Sequence, residues 1–267
     1  MDKREFNMDG ILYTIAFDGY SLHGEKKGSL WIVGYQQDRK VLTLPEEING
    51  RIVYGIGRYA FQRDPLLERV ILPPSIGVLG YDSFFYCPSL KYIYLPKSVQ
   101  TIEVTRLGDT PFRGCSALER IEVEKENSLL KSEGNCLLSK GGKKLIAGCK
   151  NSILPSSVKS IERGAFSEIT SLKKILIPEG VETISRSVFY DCVSLNHVEL
   201  PRSLHYIGEA SFAFTYSLKE ITYRGRKEEW DKIEKENQWN IGSALSTIHC
   251  SDGTFLLKAE VSPVIVS

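Results

Sequence analysis

The chain has 267 residues and a formal net charge of +1, and its 42% hydrophobic and 25% charged content is that of an ordinary globular protein. A balance this close to neutrality supplies no electrostatic pull toward nucleic acid or an acidic membrane surface. No apolar run reaches the ~20 residues of a membrane-crossing helix. The opening Met1-Asp2-Lys3-Arg4-Glu5 leads into mixed polar sequence rather than the apolar core of a secretory leader, so the protein is expected either to stay inside the cell or to have lost its leader.

Ile11-Leu12-Tyr13-Thr14-Ile15-Ala16-Phe17 and Leu30-Trp31-Ile32-Val33 read as strands. Leu42-Thr43-Leu44-Pro45 reads as a first, irregular strand end, and Ile48-Asn49-Gly50-Arg51 as a turn on its Asn-Gly pair. From there a motif recurs. Ile56-Gly57-Arg58-Tyr59-Ala60-Phe61 leads to Leu67, Val70, Leu72 and Pro73. The same slots return around Phe84, Phe112, Phe166, Phe189 and Phe212, with leucine six residues past each phenylalanine and a β-branched residue nine past it. Phe61 to Phe84, Phe166 to Phe189 and Phe189 to Phe212 are each 23 residues. Phe84 to Phe112 is 28, which places five extra residues within 103–111. Phe112 to Phe166 is 54, room for one degenerate coil ending at Ile153-Leu154-Pro155. Residues 227–237 have helix character, with Trp230 and Ile233 on one face, and are expected to cover the last coil.

A single coil of this kind cannot bury its own apolar side chains, so neighbouring coils must stack. The apolar residues nine and eleven past the phenylalanine alternate at strand period. Pro73, Pro96, Pro178 and Pro201 end the strand, because proline cannot donate to a ladder. Seven coils are expected over residues 53–224, the degenerate one at about 124–155, between caps at 1–52 and 225–267 of a single domain.

The Ile-Gly-x-x-Ala-Phe steps, the Cys-x-x-Leu steps (Cys87/Leu90, Cys115/Leu118, Cys192/Leu195) and the Leu-Pro-x-Ser steps resemble the BspA-like, or Treponema-type, leucine-rich repeats. The degenerate coil, from Gly134-Asn135-Cys136 to Cys149-Lys150-Asn151-Ser152, and the tail from Ile221 to Gly253 match too. The resemblance implies a leucine-rich repeat solenoid: mainly β, with a right-handed, curved parallel sheet, short helical or irregular turns on the convex side and a C-terminal capping helix. It also implies an adhesive or interaction role, extracellular or at the cell surface, with the cytoplasm as the alternative.

The chemistry-bearing residues do not converge. Gly55-Ile56-Gly57-Arg58-Tyr59-Ala60 matches a dinucleotide fingerprint, but the repeat accounts for it and no strand–turn–helix unit follows. His23, His197, His205 and His249 share no triad or metal spacing with a carboxylate or cysteine. Neither cofactor nor metal is expected. Cys87, Cys115 and Cys192 occupy one repeated slot, a packing column, with a Cys87–Cys115 disulfide as the alternative if the protein is secreted. Cys136 and Cys149 flank the Lys140-Gly141-Gly142-Lys143 turn, where a cross-hairpin disulfide is more favoured.

The alternation also divides each strand by face. If Val70 and Leu72 point inward, Arg69 and Ile71 point outward. The equivalent outward pairs include Tyr92/Tyr94, Arg120/Glu122, Asn151/Ile153, Lys174/Leu176 and His197/Glu199. Arg69, Ile71, Tyr92, Tyr94, Arg120, Ile153, Leu176 and His197 are therefore the candidate partner-binding residues of a non-catalytic module. The partner is a protein or glycan rather than nucleic acid or a membrane interior, and the chain is a monomer or weakly self-associating. A structural, self-assembling role is the runner-up and an enzyme the third reading.

Overall fold

A computed structural model of the chain describes residues 5–15, 28–36, 38–105 and 110–257. The predicted strand residues Ala16 and Phe17, four residues of the 103–111 insertion, and the outer parts of both expected caps lie outside these.

The fold is mainly β, and its repeat carries two strands per full coil where the sequence pattern suggests one. In the first ladder Val41–Thr43, Arg69–Ile71, Tyr92–Leu95 and Arg120–Val123 pair in parallel, in chain order. After a break, Lys174–Leu176, His197–Leu200, Glu220–Tyr223 and Thr247–Cys250 do the same, with Gly253–Leu256 added antiparallel. Val41–Thr43 is thus a regular ladder member, not an irregular strand end. The second ladder takes Leu30–Tyr35, Arg51–Ile56, Val78–Leu79 and Thr101–Ile102. It resumes with Lys144–Ala147, Ser160–Ile161, Thr183–Ile184, Tyr206–Ile207 and Glu234–Lys235. The Asn49-Gly50 turn closes a small hairpin, both residues at positive φ, as that dipeptide favours.

The phenylalanines sit at the bend that joins the end of the second ladder to the start of the first. Their rings stack from coil to coil: Phe61 on Phe84 at 5.1 Å, Phe166 on Phe189 at 5.4 Å, Phe189 on Phe212 at 5.1 Å. All are buried. Their backbones form a third row of inter-coil hydrogen bonds, as in Phe166 N–H to the Val188 carbonyl (3.0 Å) and Phe189 N–H to that of Ser211 (2.8 Å). The bend needs left-handed backbone two residues before and two after the ring. Tyr59, Asp82, Ser187 and Ala210 supply the first, and Arg63, Tyr86, Glu168, Asp191 and Phe214 the second. Each such non-glycine residue costs about 1–2 kcal/mol in isolation, which the ring stack and the bonded row offset.

The degenerate coil interrupts both ladders and the ring stack. An antiparallel sheet of Leu130–Glu133, Cys136–Ser139 and Lys144–Ala147 occupies its place. Gly148 stands near where a ring would pack: a Cβ there would lie 1.9 Å from the Phe166 ring. Across the gap the bends of the Phe112 and Phe166 coils meet directly. Gly114 N–H donates to the Ser167 carbonyl (3.3 Å), and Arg113 bridges Asp82 (2.9 Å) and Glu168 (2.9 Å). The buried apolar residues fall into two clusters that meet at this coil.

The helix is shorter than expected. Lys227–Lys232 forms it, with Glu228 and Glu229 in its first turn and Lys232 in its last, which complements the helix dipole. Beyond Ile233 the chain is drawn into the second ladder, Glu234 N–H donating to the His205 carbonyl (3.0 Å). The helix is the only one among the described residues, so the bends are irregular turns rather than helical ones.

Candidate functional site: the outward face of the first ladder

Strand alternation delivers the expected facing. In Arg69–Ile71 the central Val70 is buried and its neighbours exposed, and Lys174–Leu176 repeats this. Leu42, Val70, Ile93 and Ile121 form the buried row, with Ile175, Val198, Ile221 and Ile248 beyond the break. On the other side Ile71 is 40%, Tyr94 38% and Leu176 49% exposed. At ~4.8 Å per strand, Ile71 and Tyr94 occupy adjoining steps of one row, and Arg69, Tyr92 and Arg120 consecutive steps of the next.

Two site residues differ from expectation. Tyr92 is half-buried, not free. Arg69 lies over its ring at 5.1 Å and Arg120 at 5.9 Å, and its hydroxyl donates to Glu122, which Arg120 also engages. Burial, then the Glu122 carboxylate, pushes the Tyr92 phenol up to about 12. Ile153 is not on a strand. Its N–H donates to the Gly134 carbonyl at 2.8 Å, and a Cβ on Gly134 would lie 2.0 Å from the Ile153 carbonyl oxygen. This pull toward the hairpin takes residues 150–154 out of ladder geometry and leaves Ile153 76% exposed. His197 is exposed beside the half-buried Glu199. Sequence reasoning missed Val41, 52% exposed at the edge of the same face. The alternation Val41-Leu42-Thr43-Leu44 was the available signal.

Elsewhere the chemistry is packing. All six thiols are free. Cys87, Cys115 and Cys192 each donate to the phenylalanine carbonyl of the coil before: Phe61 (2.9 Å), Phe84 (3.0 Å) and Phe166 (3.1 Å). In the same slot Asp64 accepts the N–H groups of Leu66 and Leu67, and Thr215 donates to Phe212. Sulfur, carboxylate and hydroxyl thus close the bend in this slot, while Ile169 fills it in the Phe166 coil by packing alone. The Cys136 and Cys149 thiols each lie against backbone carbonyls rather than bonded together. His249 lies between Glu220 (3.0 Å) and Thr254 (2.9 Å) across strands. Among the described residues no group of three His, Cys, Asp or Glu could hold a metal.

Six copies of the BspA type leucine rich repeat region match residues 54–139 and 144–252. The chain belongs to the BspA-type leucine-rich repeat family. Among solved structures it is similar to the pneumococcal vaccine antigen PcpA, at 18% identity and a TM-score of 0.51, over 92% of this chain and 81% of that one. It is also similar to leucine-rich repeat proteins of Bacteroides ovatus (19%, 0.49, 92% and 76%) and Eubacterium ventriosum (20%, 0.48, 81% and 71%). At such identities the likeness concerns the fold. No curated protein matches the chain. In this BspA-type chain the ring columns stop at the degenerate coil, whereas the family match runs through it and leaves out only its turn residues 140–143.

Proposed function

We propose that this BspA-type chain is a non-catalytic interaction module that binds a macromolecule, a protein or a glycan, on the outward face of its first ladder. That face is taken as the concave side of a right-handed solenoid whose helix and final strands act as the C-terminal cap, the whole forming one domain. The observation carrying the reading is the set of exposed apolar side chains Ile71 and Tyr94 on one sheet, Leu176 on the next and Ile153 on the hairpin between them, beside the cations Arg69, Arg120 and Lys174. Large apolar side chains held outward by ordered backbone, among few but well-placed charges, are the makings of a recognition patch. The ladder holds them before the ligand arrives, so little conformational entropy is lost on binding. A place outside the cell or at its surface fits this role, with the cytoplasm as the alternative.

Self-assembly is a second reading, favoured by the edge strand Gly253–Leu256, whose Leu256 is 75% exposed. The full chain and a Tyr94→Ser, Leu176→Ser variant are to be compared on protein and glycan arrays and by sizing at high concentration. Loss of a specific partner by the variant, with the wild type monomeric, supports the module. Unchanged binding by the variant overturns the choice of face. Concentration-dependent assembly without partner binding turns the reading to self-association, and a hydrolytic activity lost on His197→Ala overturns the non-catalytic reading.

A further inference from the structure

The charges on this face are unevenly placed and unevenly satisfied. From Arg69 to Lys174 the outward positions carry three cations, Arg69, Arg120 and Lys174, against one carboxylate, Glu122. Glu122 is already engaged by Arg120 and by the Tyr92 hydroxyl. The flanking carboxylates Glu68 and Glu119 are likewise held, by Lys91 (2.8 Å) and Lys150 (2.9 Å). Arg69 and Lys174 have no carboxylate partner among the described residues. Past Lys174 the sign reverses: the next outward acids are Glu199, paired with Arg224, and Glu220, paired with His249.

Resting on the reading above, we infer that the ligand is a polypeptide whose acidic residues lie over the stretch from Arg69 to Lys174, with apolar side chains set on Ile71, Tyr94, Ile153 and Leu176. Unpaired cations in a chain of net charge +1 make this stretch locally attractive to carboxylates, and such complementarity steers and orients a partner. Arg69 and Arg120 are two strands apart, ~10 Å at ~4.8 Å per step, which one turn of a polyproline II chain, three residues at ~3.1 Å each, covers while returning its side chain to the same side. A ligand running along the ladder therefore meets both cations with carboxylates at every third position. The apolar set selects polypeptide over glycan. It is aliphatic apart from Tyr94, and aliphatic surface gains by excluding water from other apolar side chains, which a hydroxyl-covered sugar offers sparingly.

The test is fluorescence anisotropy on the full chain with three twelve-residue probes repeating aspartate-leucine-serine, asparagine-leucine-serine or lysine-leucine-serine, and a sulfated oligosaccharide as the glycan probe. The aspartate peptide is expected to bind at least ~10-fold tighter than the asparagine one, the more so as salt is lowered, because the cations are solvent-exposed. An Arg69→Glu, Lys174→Glu variant is expected to lose that preference with only a small drop in melting temperature, since neither residue is buried and Arg69 gives up a single cation–π contact. Equal affinity for the aspartate and asparagine peptides overturns the inference, as does a preference for the lysine peptide or the sulfated sugar. If such a non-acidic or glycan ligand is lost on Leu176→Ser, the binding face stands and only its acidic partner falls. If no probe binds, or every variant binds as the wild type does, both fall.

Discussion

The ring column can be tested by removing one ring from its middle. Phe189 is fully buried and stacks on both sides, 5.4 Å from Phe166 and 5.1 Å from Phe212. Its backbone N–H stays bonded to the Ser211 carbonyl whatever the side chain, so truncation isolates the ring. Phe189→Ala removes a whole aromatic side chain from a site whose walls are other rings and the backbones of two coils. Such walls cannot collapse, which puts the loss at the upper part of the ~3–5 kcal/mol range for buried aromatics. Against a domain stability of ~5–15 kcal/mol, that is roughly a quarter of the total or more. Urea unfolding followed by far-ultraviolet circular dichroism gives the difference, provided the slope with denaturant is unchanged. Tyr216→Ala is the control, because Tyr216 is 59% exposed beside the same column, and a loss within ~0.5 kcal/mol is expected. If Phe189→Ala costs no more than Tyr216→Ala, the column is not a continuous core and the stacking account fails.

Three further outcomes follow from the same geometry. Tyr94→Ala is expected within ~0.5 kcal/mol of wild type, while Tyr92→Ala loses ~1–2 kcal/mol, because it strips two cation–π contacts and a charged hydrogen bond; equal effects in thermal melts would contradict the half-buried placement of Tyr92. A thiol reagent should label Cys250 first in the native protein and all six cysteines after unfolding without reductant, since the other five are buried and burial pushes Cys136 up to about 12; fewer than six would reveal a disulfide. Lys235 sits on the Trp230 ring, and burial lowers its ammonium from 10.5 to about 8. Between those values the unfolded chain binds more protons, so this lysine's contribution to stability rises with pH across that window. Relative to Lys235→Met, the wild type should gain stability from pH 7 to pH 10, and a constant difference would show that the ammonium is not desolvated.

The first ladder was legible because its residues alternate over enough length to show period two, as in Tyr92-Ile93-Tyr94-Leu95. The second ladder was not. Only residues 30–33 of it read as a strand; Val78–Leu79, Thr101–Ile102, Ser160–Ile161, Thr183–Ile184 and Tyr206–Ile207 are two residues long, and one isoleucine or leucine per coil carries no periodicity. The bends were half legible: their phenylalanines recur, but left-handed backbone falls on Tyr59, Asp82 and Glu168, where no glycine advertises it. Tyr92 was assigned to the correct face with the wrong freedom, since the arginines that cover it come from coils 23 residues before and 28 after. Ile153 carried the motif of a strand it does not form, because a contact with Gly134, 19 residues earlier, outweighs local propensity.

The break in the ladder bears on how the face works. Ile71 and Tyr94 are held by one four-stranded sheet, Leu176 and His197 by another, and Ile153 by the hairpin between them. A ligand spanning the face thus touches three separately supported units. One link between the stacks lies on the bend side, where Arg113 joins Asp82 of one to Glu168 of the other. Both acids are almost wholly buried, and burial raises the Glu168 carboxyl above its ordinary 4.5. Removing Arg113 would leave these two acids without their shared cation, a cost of ~3–5 kcal/mol for a broken buried pair, and would loosen the seam between the stacks. Arg113→Met should therefore weaken any ligand that needs both Tyr94 and Leu176 while sparing one that needs Tyr94 alone. Equal weakening of the two would mean that the stacks are held together by the face itself.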